Sequence, residues 1–186
     1  MKHLQGFPAA LSALLLVLSC LSCASRPDEA LKLAQAALEQ AKQEQAADFA
    51  PSDWKSAQEA WDDAQAALAK ERYSEAAALL TTCKSRFEKA RTISKAKRDD
   101  VRREVGLMQN AVNMRFNVLK NNLSKSRLSG KALKELTQSF QDLEVAVDKF
   151  NSEVLADQLI QAKSSGQAVL TRLAEVEKKL GPPTGA

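Results

Sequence analysis

Histidine is nearly missing from this chain: His3 is the only one among 186 residues. It falls in a segment that reads as a removable leader, so the mature chain has no imidazole for general-base catalysis or metal ligation. Aromatic residues make up 5% and there are only six glycines, which argues against sandwiches and barrels with their glycine-rich turns and aromatic cores. Prolines are five, at 8, 27, 51, 182 and 183, leaving the long stretch from Ser52 to Gly181 without one. Absent too are a glycine-rich phosphate loop, a nucleophile elbow, zinc-ligand spacing and a dinucleotide fingerprint. Acid pairs such as Asp62-Asp63 and Asp99-Asp100 sit at adjacent helix positions, which do not face one another. No catalytic residue, no metal ligand and no cofactor are expected, and an enzyme is not.

What the chain does have begins with its leader. Met1-Lys2-His3 is a short basic start, and Phe7 to Leu18 is apolar apart from Ser12, too short to span a bilayer. The run closes on Val17-Leu18-Ser19-Cys20, followed by Leu21-Ser22-Cys23. An apolar pair and a small residue directly before Cys resemble a bacterial lipobox. The resemblance implies a bacterial lipoprotein: signal peptide over residues 1–19, diacylglyceryl transfer to the Cys20 thiol, cleavage before it, N-acylation, and a lipidated tether over residues 20–27. Cys23 is the alternative anchor, and an ordinary signal peptide is the competing reading of the leader. Several acyl chains hold a protein on a membrane where one does not. No acid follows either Cys, which in the enterobacterial pattern resembles retention at the outer membrane, facing the periplasm, over the inner membrane or cell surface. With Cys20 lipidated, only Cys23 and Cys83 remain, and no internal disulfide framework is expected.

The rest is rich in Ala, Leu, Gln, Glu and Lys, a helical composition by propensity alone. The apolar spacing predicts an all-α fold: elongated antiparallel hairpins in a coiled-coil-like bundle with one long central helix. A first unit over residues 28–127 holds helices 28–47, 51–69 and 74–127. Their stripes are Leu31, Ala34, Leu38 and Ala41; then Trp54, Ala57, Trp61, Ala64 and Leu68; then Ala76, Leu80, Cys83, Phe87 and Ala90, resuming as Val105, Met108, Val112, Phe116, Leu119 and Leu123. Residues 48–50 break before Pro51, because the residue preceding proline avoids the helical region. Ser74 is the expected N-cap of the long helix, and Gly106 its weak point.

A second hairpin is expected over residues 128–181, with Leu133, Leu136, Phe140, Leu143, Val147 and Phe150 on one helix. Asn151-Ser152-Glu153 should break and recap the chain, and the last helix carries Leu155, Leu159, Ala162, Gly166, Val169, Leu173, Val176 and Leu180. Residues 182–186 are expected to be disordered. A weak repeat relates Tyr73-Ser74-Glu75-Ala76 to Phe150 and Ser152-Glu153, each read as an aromatic at a helix-helix turn. Phe49-Ala50-Pro51-Ser52-Asp53-Trp54, the alanine-rich run to Ala69 and Arg72-Tyr73-Ser74-Glu75-Ala76 resemble a family of uncharacterised alanine-rich helical envelope lipoproteins, over residues 28–92.

Charge is uneven. Residues 28–81 carry 5 basic and 11 acidic side chains, whereas 84–127 carry 13 and 4. The basic interval Lys95, Lys97, Arg98, Arg102 and Arg103 has two readings. It is a solvated face paired with the acidic first hairpin, or a surface for anionic envelope lipids and cell-wall polymers. Nucleic acid is not an expected partner, since the leader exports the chain and no aromatic-basic platform is present. The sequence points to a structural, scaffolding or protein-interaction role in the envelope, with another envelope protein as partner; a binding module for anionic polymers or lipids is the alternative.

Overall fold

Pro51 starts a helix where its missing N–H costs nothing, and the Pro-free run behind it lets helices extend for many turns. The computed structural model describes residues 25–126 and 128–181, and these are all-α. The expected signal peptide, Cys20, Cys23 and the tail 182–186 lie outside the described residues. The helices are α1 (Asp28–Gln43), the single turn α2 (Ala46–Phe49), α3 (Pro51–Ala69), α4 (Tyr73–Ser124), α5 (Gly130–Leu155) and α6 (Leu159–Leu180). The long central helix α4 runs for 52 residues, about 78 Å at 1.5 Å per residue, without a break at Gly106.

Two compact units divide the chain between Ser94 and Lys95, inside α4. The expected division after residue 127 is thereby corrected. Val105, Val112 and Leu119 of α4 share a core with α5 and α6, so the last half of the long helix belongs with the second hairpin.

In the first unit, α1, α3 and the start of α4 meet along an alanine seam: Ala34, Ala37 and Ala41; Ala57, Ala60 and Ala64; and Ala90. Into this seam α4 contributes Leu80, Cys83 and Phe87, all fully buried. Leu31, Leu38, Trp54, Trp61 and Leu68 flank the alanines instead of forming the centre, since a backbone-close approach has room only for methyl groups. The unit is thus a three-helix assembly of α1, α3 and the first part of α4. Direction follows from paired residues. Arg91 reaches Gln40 at 2.6 Å and Ser94 reaches Glu44, so α1 and α4 run parallel. Arg86 bonds Ser56 O at 3.0 Å and Lys89 pairs with Asp53 at 2.8 Å, so α3 runs against them.

The second unit repeats the pattern with larger side chains. Leu136, Phe140, Leu143, Val147 and Phe150 of α5 pack on Ala162, Val169, Leu173 and Val176 of α6 and on the α4 stripe. Phe116 stacks on Phe140 with centroids 5.0 Å apart. Glu104–Lys163 and Arg115–Glu177, both at 2.6 Å, succeed each other in the same order along α4 and α6, so these two are parallel. Lys179 bonds Ser139 at 3.2 Å and Ser165 bonds Glu153, which makes α5 antiparallel to α6.

Several boundaries differ from expectation, among them the end of the long helix, at Ser124 and not 127. Helix one ends at Gln43, not about Ala47, because Gln45 adopts the left-handed region (φ 55). Asn151-Ser152-Glu153 does not break α5: Asn151 accepts from Gln109 at 3.0 Å and donates to Asn113 at 3.3 Å, so its amide is engaged across to α4. Phe150 is accordingly a buried mid-helix residue and not a turn aromatic, which dissolves the proposed repeat with Tyr73. The actual turn is Ala156-Asp157-Gln158, leaving Leu155 at a helix end, 86% exposed. The long helix also begins at Tyr73, one residue before the expected Ser74 cap.

The α3–α4 and α5–α6 turns share one backbone solution. Glu71 (φ 55) donates to Leu68 O at 3.0 Å while Arg72 donates to Ala67 O at 3.0 Å. Asp157 (φ 54) donates to Val154 O at 3.1 Å while Gln158 donates to Glu153 O at 3.0 Å. Both are Schellman closures in which a non-glycine residue occupies the left-handed site that glycine prefers. Replacing Glu71 by Gly should therefore stabilise the chain by about 0.5–1 kcal/mol, and Gly106→Ala, whose added Cβ meets nothing within 4 Å, by about 1 kcal/mol. Urea midpoints followed by circular dichroism check both.

Candidate functional site

The basic interval of α4 spans 95–103, where the core thins out: Ser94 is buried, Val101 half-buried, and Lys95 and Lys97 are exposed. Ser94 sits in the seam because its hydroxyl donates to the Glu44 carbonyl, satisfying a group left over where α1 ends. Arg98 is half-buried. Arg102 reaches the α5–α6 turn, with Nη2 2.9 Å from Asp157 Oδ2, and its Nη1 lies 3.1 Å from Asp99 Oδ1. Arg103 pairs with Asp100 one turn earlier. The paired arginines therefore find acids of the second unit. Within the first unit, Asp53 engages Lys89 at 2.8 Å. These pairs are largely exposed, and such pairs contribute roughly 0–1 kcal/mol.

Trp54 and Trp61 share the expected face of α3 and lie half-buried beside the alanine seam. The Trp54 ring tilts at 58° against Phe87 with centroids 5.3 Å apart, an edge-biased packing that closes the first core. Cys83 lies beneath them with Sγ 4.0 Å from Ala57 O. Burial pushes its thiol up to about 11, with the nearby Arg86 acting weakly in the other direction. A thiol held protonated is a poor nucleophile. In a Cys23→Ser background, the Cys83 thiol should react slowly with a thiol reagent in native protein at pH 8 and fast in urea. Because the folded pKa lies above the ordinary value of 9.0, this group's contribution to stability is complete below pH 9 and declines as pH rises toward 11.

A shallow groove of about 480 Å³ runs between α5 and α6. On its wall Lys149 lies 3.8 Å from Glu153, and Ser165 donates to the same carboxylate. Arg115 is held by Glu177 through two hydrogen bonds of 3.1 and 2.6 Å, which raise its pKa further. Among the described residues no group of three or more His, Cys, Asp or Glu side chains converges in a way that could hold a metal ion. No described helix is long and apolar enough to cross a membrane.

One surface was not singled out by the sequence reading. Leu107, Met114 and Val118 of α4 are 71%, 66% and 54% exposed, and with Ala111 they form a second stripe, turned away from the core stripe of Val105, Val112 and Leu119. Its signal was present as a four-three-four spacing running beside the buried one, and the stronger stripe masked it. Comparison with protein-family models, with curated proteins and with solved structures gives no match.

Proposed function

We propose that this chain is a lipid-anchored protein of the bacterial cell envelope, held at the outer membrane and facing the periplasm, with a structural, scaffolding or protein-interaction role. The observation that carries the reading is the apolar leader closing on Val17-Leu18-Ser19-Cys20. Behind it stands a helical body with an inert buried thiol, self-satisfied ion pairs and an exposed apolar stripe, features that suit contact with other macromolecules better than turnover of a substrate. Cells given a fatty-acid probe should label the wild type and lose the label in Cys20→Ala. Label that survives in Cys20→Ala and disappears in Cys23→Ala moves the anchor to Cys23.

A second reading, binding of anionic envelope lipids or cell-wall polymers, is supported by the exposed Lys95 and Lys97. The two separate by salt. A charge-driven partner washes off envelope pull-downs as ionic strength rises, whereas an apolar interface persists.

A further inference from the structure

We infer that the exposed stripe of α4 is a self-association surface whose occupant is a second copy of this chain, packed antiparallel. The heptad spacing continues in both directions beyond the apolar residues: Asp100, Glu104, Leu107, Ala111, Met114, Val118, Asn121 and Lys125 follow one another at alternating four and three. Acids occupy the first two positions, apolar residues the next four, and an amide and a lysine the last two. A stripe of that order is complementary to itself when reversed. About a twofold axis between Val112 and Asn113, Leu107 meets the partner's Val118 and Ala111 meets the partner's Met114, a small residue opposite a large one. The same register sets Asp100 against the partner's Lys125 and Glu104 against the partner's Asn121.

Charge selects the direction. Parallel pairing in register would place Asp100 on Asp100 and Lys125 on Lys125, whereas reversal turns both ends into opposite-sign pairs. The side chains are available for this: Leu107, Met114 and Val118 are mostly exposed, Asp100 is exposed at one end, and Lys125, in the turn directly after α4, is exposed at the other. Asp100 already holds Arg103, so its carboxylate would bridge two cations. Three large apolar residues per copy make a small interface of the weak, reversible class. Confinement of anchored copies to one membrane raises their effective concentration, and in that respect the inference rests on the envelope reading above.

The register is testable by cross-linking of full-length chains. Two tagged copies, one carrying Leu107→Cys and the other Val118→Cys, are co-expressed and their membranes oxidised with oxygen and a copper catalyst. A disulfide dimer joining the two tags is expected. Neither variant expressed alone should exceed the chain without an added cysteine, because antiparallel packing separates the two copies' Leu107 positions by about 16 Å along the axis. Met114→Glu should abolish the dimer. Asp100→Lys should lower its yield about tenfold, and Asp100→Lys with Lys125→Asp should restore it. No mixed dimer, an equal yield from either variant alone, or no rescue by the double reversal overturns the proposal. A cross-link to a different protein in place of the mixed dimer also overturns it, while leaving the wider interaction reading standing.

Discussion

Phe150→Ala should cost about 3–5 kcal/mol of unfolding free energy, and adding Gly166→Leu to it should recover part of that loss. Phe150 is fully buried, and its ring lies over the one position of α6 that has no side chain. A Cβ built on Gly166 would come within 2.8 Å of Phe150 Cε2, 3.1 Å of its Cζ and 3.2 Å of Met108 Sδ. Gly166 therefore defines a socket for the ring, and the helix-propensity deficit of about 1 kcal/mol that glycine carries is offset by the aromatic it admits. Gly166→Leu alone should overpack that socket and cost about 1–3 kcal/mol. With the ring removed, the same leucine enters vacated space, so the double variant should be more stable than the sum of the singles by roughly 0.5–3 kcal/mol. Urea titration of the four proteins provides the cycle; strict additivity would mean that ring and glycine do not share space.

The first unit should respond as strongly to Phe87→Ala, again by about 3–5 kcal/mol, and for a different reason. Cavity cost depends on how far the surroundings can collapse, and here the surroundings are methyl groups. The alanines of the seam have little reach with which to refill the space, and Trp54, which leans on the ring at 5.3 Å, is half-buried at the rim. Phe87→Leu, which retains most of the volume, should lose far less. A shift in tryptophan emission together with the fall in urea midpoint would locate the damage at Trp54, and an unfolding free energy within about 0.5 kcal/mol of wild type would show that the alanine seam holds the unit unaided.

Much of this architecture could be read from residue order. The apolar stripe of α4, from Ala76 through Cys83 and Phe87 to Val112 and Leu119, is buried where its spacing puts it, and Pro51 begins α3 as the proline demands. What failed were positions at which a side chain does something other than its usual work. Asn151 and Ser152 look like a turn and cap, yet Asn151 spends its amide on Gln109 and Asn113 and the helix continues. Asp157 makes the real α5–α6 turn without glycine, by accepting a left-handed backbone closed by two hydrogen bonds, and composition gives little notice of that. In the first unit the shared stripe of Trp54, Ala57, Trp61 and Ala64 did mark the packing face, with the alanines in the middle and the indoles at the rim. The basic interval was recognisable as charge. Which acids would meet Arg102 depended on where the α5–α6 turn fell, and that turn had been set five residues too early.

Continuity of α4 through Ser94 and Lys95 bears on how the chain reaches its native state. Starting a helix is unfavourable, since several residues must be fixed before the first hydrogen bond forms, whereas extending one gains a bond with each residue added. Two cores that draw on one rod need only one such start between them. Whichever collapses first leaves a formed helical end at the junction, from which the other half of α4 can grow and present its stripe to the helices still waiting to dock. Order of synthesis favours the alanine seam as that template, and the phenylalanine-rich core as the part that is templated.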